Sequence, residues 1–304
     1  MTEAPRTSAT GLRPSPGTTQ IGPTRFAWGT RTFVMGIINV TPDSFSGDGL
    51  LRGAPVGGGQ SPAVMAAIEL AASMADAGAD LIDIGGESTR PGYARVDPRA
   101  EIARVVPVVR GIRAALPHMP ISVDTTKPAV AEAAVEAGAN LINDIWGVAS
   151  DDALLRLTAS LGAPIVLMHN REEARYTNFM AEVIGDLERA IERALAVGVA
   201  WEDILIDPGF GFGKSADHNV VVLRELETLA ILGRPLVLGT SRKSTLGRIL
   251  DVPQGQRLEA TLATTALGVA SGADMVRVHD VRENVRAARV ADAIVRGTWH
   301  EVAT

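Results

Sequence analysis

Short apolar runs alternate with longer, alanine-rich stretches along most of the chain. At several joints an alanine-rich stretch ends at a glycine and a short apolar run follows, as in Ala77–Asp83, Ala137–Asn143, Leu161–Leu167 and Ser271–Arg277. Glycine ends helices because it tolerates the left-handed conformation that follows the last turn. The apolar runs are too short for helices and are typical of strands buried on both faces.

Eight such runs are candidate strands, and helical patterns lie between them. The runs are Phe33–Ile38, Leu81–Ile84, Ile121–Val123, Leu141–Asn143, Ile165–Met168, Ile204–Ile206, Leu236–Leu238 and Met275–Val278. The first helix is well marked, because Ser61 can cap it, Pro62 suits its first position and Gly78 ends it. Strand and helix alternating eight times predict an α/β fold with a single (β/α)8 TIM barrel. An open doubly wound sheet is the alternative.

The composition is consistent with one barrel preceded by a tail. The chain has 304 residues, whereas such a barrel needs about 250. Residues 1–24 are rich in Thr, Pro, Gly and Ser, so we expect a flexible tail there and the barrel over residues 25–304. Aromatic residues make up only 4% of the chain. We therefore expect a core of aliphatic residues, which barrel interiors favour.

Charge and residue usage exclude several classes of function. The net charge of −6 gives no overall basic field to attract nucleic acid. The chain has no cysteine, which excludes a disulfide scaffold and a cysteine nucleophile. The N-terminus lacks the apolar core of a signal peptide, and no apolar run approaches the roughly 20 residues of a membrane span. We expect a cytoplasmic protein that does not bind membranes.

Polar side chains follow nearly every candidate strand. They are Asn39, Asp83, Asp124, Asn143, His169, Asp207, Arg277 and His279. Active sites of (β/α)8 barrels lie at the carboxyl ends of the strands, so this pattern predicts one site there. The alternative is that a few of the polar strand ends occur by chance.

Two long loops follow the first two candidate strands. The first, Asn39–Gly49, is dense in Pro, Asp, Ser and Gly and continues to Gly57–Gly59, which predicts turns. The second, Gly85–Gly92, carries Arg90, whose planar cation can reach a phosphate. Long loops at the catalytic face are often lids. Solvated loops, with a solvated Arg90, are the alternative.

The segment Asp207–Lys214 contains three glycines but is not a nucleotide-binding Walker loop. Pro208 stands where that pattern requires glycine, so we reject a nucleoside triphosphatase. The glycines favour close approach of the backbone and of Phe212 to a flat ligand. A tight turn between strand and helix is the alternative.

The segments after the last two candidate strands suit an anion. Gly239–Ser244 carries Ser, Arg and Lys in the region where this fold often binds phosphate. Arg277 and His279 lie two residues apart on a strand, so both side chains point the same way. Together they could bind a diphosphate, although a salt bridge from Arg277 to a nearby carboxylate is the alternative.

The histidines do not have the spacing of a zinc site. They stand at His118, His169, His218, His279 and His300. A magnesium ion held mostly by diphosphate oxygens and water needs only one or two protein oxygens. Asn39 could supply one of them.

Taken together, these segments resemble the dihydropteroate synthase family over about Arg31 to Arg296. The matching pieces are Asn39–Ser46, Glu87–Gly92, Ser122–Thr125, Ile142–Asp144, Asp207–Lys214, Ser241–Ser244 and Arg277–Asp280. Asp48 matches a loop-one aspartate only after a one-residue shift past Gly47, and Gly53–Gln60 lengthens that loop.

The resemblance implies a role for each site residue. Pterin-binding residues would be Asp124, Asn143, Asp207 and Lys243. Diphosphate-binding residues would be Asn39, Arg277 and His279, with Asn39 also a magnesium ligand. Aminobenzoate-binding residues would be Thr89, Arg90, Phe212 and Ser244. The loop-one lid would contain Asp43, Ser44, Phe45 and Asp48.

The resemblance also implies an activity. Such an enzyme transfers 6-hydroxymethyl-7,8-dihydropterin from its diphosphate to 4-aminobenzoate in folate biosynthesis, with diphosphate leaving before the amine attacks. It implies Mg²⁺ as cofactor and a homodimer formed through the outer helices. The alternatives are a paralogue that binds pterin without turnover and a methyltransferase acting between methyltetrahydrofolate and a corrinoid. Arg90, Lys243, Arg277 and His279 disfavour the methyltransferase, which needs no diphosphate site.

Overall fold

Parallel strands surrounded by helices form a barrel in this protein. The computed structural model describes residues 16–41, 61–87, 96–148 and 152–299. A small antiparallel sheet of β1 (Thr18–Ile21) and β2 (Thr24–Ala27) precedes the barrel. The barrel strands are β3 (Phe33–Asn39), β4 (Leu81–Gly85), β5 (Ile121–Asp124), β6 (Leu141–Asp144), β7 (Ile165–Met168), β8 (Ile204–Asp207), β9 (Val237–Leu238) and β10 (Met275–Val278).

Helices lie between the strands along the part of the chain that the structure describes. They are α1 (Pro62–Asp76), α2 (Pro98–Ala115), α3 (Pro128–Glu136), α4 (Asp152–Leu161), α5 (Phe179–Ala196), α6 (Ala216–Arg224), α7 (Ser244–Leu250), α8 (Leu258–Ala270) and α9 (Val281–Val295). Short 3-10 helices cover Trp201–Asp203, Leu226–Leu232 and Gln254–Gln256. None of the described helices is long and apolar enough to cross a membrane.

The sheet closes on itself, which confirms the predicted barrel and rules out the open sheet. Its strand order is β8-β7-β6-β5-β4-β3-β10-β9, and all neighbouring strands are parallel. Closure between β8 and β9 rests on a parallel bridge from Ile206 to Leu236 and on a 3.0 Å hydrogen bond from Ile206 N to Pro235 O. All eight predicted strands are present. The seventh, β9, is the shortest.

The predicted start of α1 is confirmed. Ser61 caps the helix, its hydroxyl accepting a 3.3 Å hydrogen bond from Val64 N, and Pro62 occupies the first helical position. Gly78 follows the helix at φ 99°, a conformation that costs glycine little. The same glycine joint recurs before β6 and β10, so the repeated sequence pattern corresponds to a repeated structural unit.

The predicted tail boundary at residue 24 is wrong for residues 16–24. Thr18–Ile21 pairs with Thr24–Ala27 in a hairpin across the N-terminal end of the barrel. Ile21 and Phe26 are fully buried there, and Trp28 Nε1 donates a 2.9 Å hydrogen bond to Thr19 Oγ1. The segment is polar in overall composition, so its sequence predicts a flexible tail even though these few side chains are buried against the barrel.

Three aromatic residues pack together at this end of the barrel. Phe26, Trp28 and Phe33 pack with ring centroids 4.8–5.4 Å apart, against the lowest inward-facing layer of the strands. Between strands and helices the core is aliphatic and alanine-rich, as expected. The aromatic cluster therefore closes the N-terminal end, and the interior becomes polar toward the opposite end.

Candidate active site

A cavity of about 340 Å³ opens at the carboxyl ends of the barrel strands. Its lining residues come from the ends of β3, β5 and β10 and from the loops after β8 and β9. They are Ile37, Asn39, Asp124, Gly211, Phe212, Gly239, Ser241, Arg242, Lys243, Ser244, Arg257, Arg277 and His279. Of the strand-end residues named by the sequence, Asn39, Asp124, Arg277 and His279 line this cavity, whereas His169 does not.

Arg277 links two carboxylates on the floor of the cavity. Its Nε donates a 2.6 Å hydrogen bond to Asp83 Oδ2, and its Nη2 lies 2.5 Å from that oxygen and 2.7 Å from Asp124 Oδ2. Asp83 is fully buried. The salt bridge that the sequence left as the alternative for Arg277 is therefore present. Arg277 Nη1 has no hydrogen-bond partner within the described ranges.

The floor carries more negative than positive charge. Burial raises the pKa of Asp124 to about 7; the guanidinium of Arg277 opposes this rise, and the neighbouring Asp83 adds to it. Asp83 Oδ1 and Asp124 Oδ1 are buried and accept no hydrogen bond from any described residue. Because buried carboxylate oxygens require donors, the floor suits a ligand with several N–H groups.

Asn143 and Asp207 are buried beside this floor without lining the cavity themselves. Asn143 pairs in register with Asp124, and its Nδ2 lies 3.4 Å from Asp83 Oδ2. Asp207 Oδ1 accepts a 2.7 Å hydrogen bond from Gly209 N. Burial raises the pKa of Asp207, and the ammonium of Lys243 counteracts this.

Lys243 stands between the floor and the loop after β8. Its Nζ donates to Phe210 O and lies 4.0 Å from the ring centroid of Phe212, a cation–π contact. Burial lowers the pKa of Lys243 to about 7, and Asp207 acts against this shift. Ser244 is exposed and begins α7. A cation, an aromatic ring and a hydroxyl thus border one side of the cavity.

Asn39 and His279 line the cavity from the ends of the adjacent strands β3 and β10. The Asn39 side chain makes no hydrogen bond within the described part of the chain, so its amide remains available to a ligand. His279 Nδ1 lies 2.9 Å from Ser241 Oγ, which also accepts a 3.1 Å hydrogen bond from His279 N. Arg242 at this rim is paired with Asp280.

The donor set fits magnesium only if the ligand supplies most of the oxygens. Across the described residues no three His, Cys, Asp or Glu side chains are grouped as a metal site. The Asn39 amide oxygen is a hard donor of the kind that Mg²⁺ accepts. Gly85 separates Asn39 Oδ1 from Asp124, and a Cβ at that position would lie 3.6 Å from each.

A second cavity, of about 740 Å³, lies at the other end of the barrel. Arg31 and Asp80 are paired across it at 2.5 and 3.0 Å, and Asp292 is held by Arg296 at 2.8 Å. Its larger volume does not make it the better candidate. These charges already satisfy one another, and it lies opposite the face at which barrels of this type perform catalysis.

Known proteins are similar to this chain in sequence and in fold. Residues 35–279 match the family of pterin binding enzymes. A dihydropteroate synthase of Clostridium beijerinckii is 47% identical over 278 residues, which are 91% of this chain and 99% of that protein. The chain belongs to the dihydropteroate synthase family. It is accordingly a transferase.

Two solved dihydropteroate synthase structures have the same fold. The one from Clostridium difficile superposes with a TM-score of 0.83 at 46% identity, covering 89% of this chain and 99% of its own. The one from Xanthomonas albilineans gives a TM-score of 0.83 at 41% identity, covering 92% and 98%. The family assignment therefore rests on sequence and structure over nearly the whole chain.

The structure brings together the site residues that the sequence pointed to wherever it describes them. Those that line the cavity are Asn39, Asp124, Phe212, Lys243, Ser244, Arg277 and His279, with Asn143 and Asp207 directly adjacent. The remaining candidates lie outside the described residues. They are Thr89 and Arg90 of loop two and Asp43, Ser44, Phe45 and Asp48 of loop one.

Two residues of this site, Asp83 and Arg257, were given no individual role by the sequence. Asp83 stands at a strand end, and the two-residue period of a strand places it inward with Gly85, but its pairing with Arg277 requires the closed barrel. Arg257 lines the cavity from the turn before α8 and donates a 2.9 Å hydrogen bond to Arg242 O. No motif in the sequence marks Arg257.

Proposed function

We propose that the protein transfers the 6-hydroxymethyl-7,8-dihydropterin group from its diphosphate to 4-aminobenzoate, giving 7,8-dihydropteroate and diphosphate. One observation carries this proposal: buried carboxylates and an amide surround a floor that also holds the Arg277 guanidinium, and the same cavity is lined by an imidazole and an ammonium. A flat heterocycle with several N–H groups suits the floor, and a diphosphate suits the rim.

The pterin ring is proposed to contact Asp124, Asn143, Asp207 and Lys243. The two carboxylates and the amide would pair with the amino group and ring nitrogens, and Lys243 would donate to the ring carbonyl. The unpaired Asp124 Oδ1 is the strongest support, because its burial without a donor is costly until a ligand arrives.

The ligands of related structures support this choice. The Clostridium difficile enzyme was crystallised in the presence of pteroic acid, and the Xanthomonas albilineans enzyme was solved with 4-aminobenzoic acid. We propose that the second substrate lies near Phe212 and Ser244 of this chain. Thr89 and Arg90 remain candidates for the same subsite.

The diphosphate is proposed to bind Asn39, Arg277 and His279. The two bonds from Arg277 to Asp83 orient the guanidinium and leave Nη1 for a phosphate oxygen. When bound to the diphosphate, Mg²⁺ would neutralise the charge that grows on the leaving group, and Asn39 would provide its protein ligand.

The proposed reaction begins with departure of the diphosphate. The methylene carbon becomes positively charged, and the pterin ring delocalises that charge above Asp124, whose carboxylate stabilises it. The aniline nitrogen of 4-aminobenzoate then attacks this carbon, so that a C–N bond replaces the broken C–O bond and the nitrogen releases one proton to the diphosphate or to water. Because an aniline is uncharged near neutral pH, no strong general base is needed. Loops one and two would exclude water from the cation, with Asp43, Ser44, Phe45 and Asp48 in loop one.

We further propose that the protein acts as a cytoplasmic homodimer. Helices α8 and α9 lie against each other, and both carry large apolar side chains that face solvent: Leu267 is 60% exposed, Val290 61% and Ile294 78%. Val290 and Ile294 are one helical turn apart, so they share a face of α9. Exposed apolar groups of this kind often mark protein interfaces.

The direct test is formation of 7,8-dihydropteroate by the purified protein with both substrates, with and without Mg²⁺. We expect product only when both substrates are present, and a large loss of rate when the metal is chelated. Omitting 4-aminobenzoate should still allow slow diphosphate release. Pterin binding without product would contradict the proposal and identify the chain as a binding paralogue.

A further inference from the structure

A buried chain of charged and polar side chains lies behind the loop Asp207–Lys214, outside the cavity itself. It runs from Lys214 through His169 to Asp186, and Arg171 and Arg189 complete it at the surface. His169 is fully buried. The mechanism proposed above uses neither residue, although Lys214 is the last residue of this loop and His169 directly follows β7.

Lys214 is bonded to backbone and imidazole acceptors and to no carboxylate of the described chain. Its Nζ lies 2.8 Å from His169 Nδ1, 3.1 Å from Phe212 O and 3.4 Å from His169 O. Lys243 holds the same loop from the cavity side through Phe210 O. Two ammonium groups therefore hold neighbouring carbonyls of this loop from opposite sides.

The loop lies in direct contact with the chain after β7. Gly209 adopts φ +68°, and a Cβ there would overlap the carbonyl oxygen of His169. His169 N donates a 2.9 Å hydrogen bond to Asp207 O, and Tyr176 Oη donates one of 2.7 Å to Gly213 O. Any shift of His169 is therefore transmitted to the turn that carries Asp207 and Phe212.

The charges fix the tautomer of His169. The carboxylate of Asp186 can only accept, so the ring proton of His169 resides on Nε2, and Nδ1 accepts from the amino group of Lys214, whose own pKa burial lowers to about 7. Nε2 then donates to Asp186 Oδ2 at 3.1 Å. Burial, reinforced by the charge of Lys214, lowers the pKa of His169 to about 3, which keeps the ring neutral.

We propose that Lys214 and His169 are positioning residues that hold the loop Asp207–Lys214 in its ligand-binding form, and that Asp186 holds His169 in the Nε2–H tautomer. Neither residue touches the reacting atoms. The proposal builds on the proposed function, since Asp207 and Phe212 are the groups being positioned.

Lys214→Met tests the contact between Lys214 and His169. Methionine keeps the length and apolar bulk of the lysine side chain but removes its N–H donors. We expect affinity for pteroic acid and kcat/KM for the pterin diphosphate to fall about ten- to hundred-fold, the effect of one buried charged hydrogen bond. KM should change more than kcat. Arg224→Met is the matched control and should leave both quantities unchanged, since that side chain is 66% exposed and, among the described residues, forms an ion pair with neighbouring Glu225 alone.

A pair of His169 variants separates positioning from general loss of packing. His169→Asn keeps an acceptor near Nδ1 for Lys214, whereas His169→Gln reaches toward Asp186 instead. We expect His169→Asn to retain more pteroic acid affinity than His169→Gln. Equal affinities in folded variants would overturn the proposal, even if Lys214→Met did not fold.

The imidazole itself provides a readout independent of turnover. In nitrogen-15 spectra the wild-type His169 should stay neutral, with its proton on Nε2, from pH 5 to pH 8. In Lys214→Met its titration should move to higher pH, since the opposing positive charge is gone. An unchanged spectrum would contradict the proposal. Absence of wild-type turnover would instead count against the proposed function and would leave these spectra interpretable.

Discussion

At the scale of single residues, the ion pairs on the cavity floor set the chemistry of the site. Arg277 neutralises only part of the charge of Asp83 and Asp124, so the ligand-free site keeps one unbalanced buried carboxyl group. A ligand that donates hydrogen bonds, or a transition state with positive charge, would stabilise this buried carboxyl group. The same residues therefore connect stability with catalysis.

Removing Arg277 should reveal this connection as a loss of stability. Arg277→Ala leaves fully buried Asp83 without its cation, and we expect the free energy of unfolding at pH 7 to fall by about 3–5 kcal/mol. Arg242→Ala at the same rim should cost less than about 1 kcal/mol, because its pair with Asp280 is partly exposed. Urea unfolding of both variants measures the difference, and equal losses would refute the argument.

The pH dependence of that loss follows from Asp124, whose pKa burial raises to about 7 and whose charged form Arg277 stabilises. A carboxyl group whose folded-state pKa is raised binds protons more readily when folded, so it destabilises the protein increasingly as pH rises through that pKa. The defect of Arg277→Ala should accordingly shrink as the pH is lowered from 8 to 5. A defect that is constant over this range would mean that the lost packing of Arg277, and not its charge, is responsible.

Asp124 and Lys243 should shape the pH profile of catalysis. The pKa of each is displaced to about 7 from opposite directions, so Asp124 is charged above neutrality and Lys243 below it. We expect kcat/KM to be bell-shaped with both limbs near neutral pH. Asp124→Asn should remove the acid limb and Lys243→Arg should shift the basic limb to higher pH. An acid limb that survives in Asp124→Asn would belong to the substrate diphosphate.

The residues at strand ends could be predicted from sequence, but their partners could not. Asp124, Asp207 and Arg277 each follow a short apolar run, and the barrel fold directs all such positions to one rim. The contact of Arg277 with Asp83 joins β10 to β4 across the interior. Its geometry depends on strand tilt and closure, which no local spacing encodes.

At the scale of elements, the reliability of prediction followed the strength of the local pattern. The α1 cap and the glycine joints are local signals, and they were confirmed. The hairpin of β1 and β2 was missed because short strands of Thr, Gln and Arg resemble a polar tail in composition. Its stability comes from Phe26 and Trp28 packing under the barrel, a tertiary effect.

The loop after β8 offers an element-scale test. Gly209→Ala places a methyl group on the His169 carbonyl at a positive φ, and we expect it to destabilise the protein by at least about 2 kcal/mol. Gly29→Ala has a similar φ of +80° with no atom within 4 Å of the new carbon, so it should cost only about 1 kcal/mol. Thermal unfolding compares them, and equal effects would mean that φ strain alone matters.

At the scale of the whole molecule, polarity changes along the barrel axis. The hairpin and its aromatic cluster close the N-terminal end, aliphatic layers fill the lower interior, and charged groups occupy the carboxyl end. The buried charges, which are unfavourable in the free protein, therefore lie at the end of the barrel where a bound ligand can stabilise them. Association with other proteins depends on the outer surface, where the α8–α9 face exposes Leu267, Val290 and Ile294.

Assembly through the α8–α9 face gives the last prediction. Ile294→Asp places a charge in the centre of the proposed interface, and we expect sedimentation analysis to change from a dimer to a monomer. The exposed position makes the effect on folding small, within about 0.5 kcal/mol, so a change in mass reports association alone. Ile231→Asp is the matched control, since Ile231 is 79% exposed in the 3-10 helix after α6 and should leave the dimer intact. A wild-type monomer, or a dimer that both substitutions leave unchanged, would show that this face does not form the assembly.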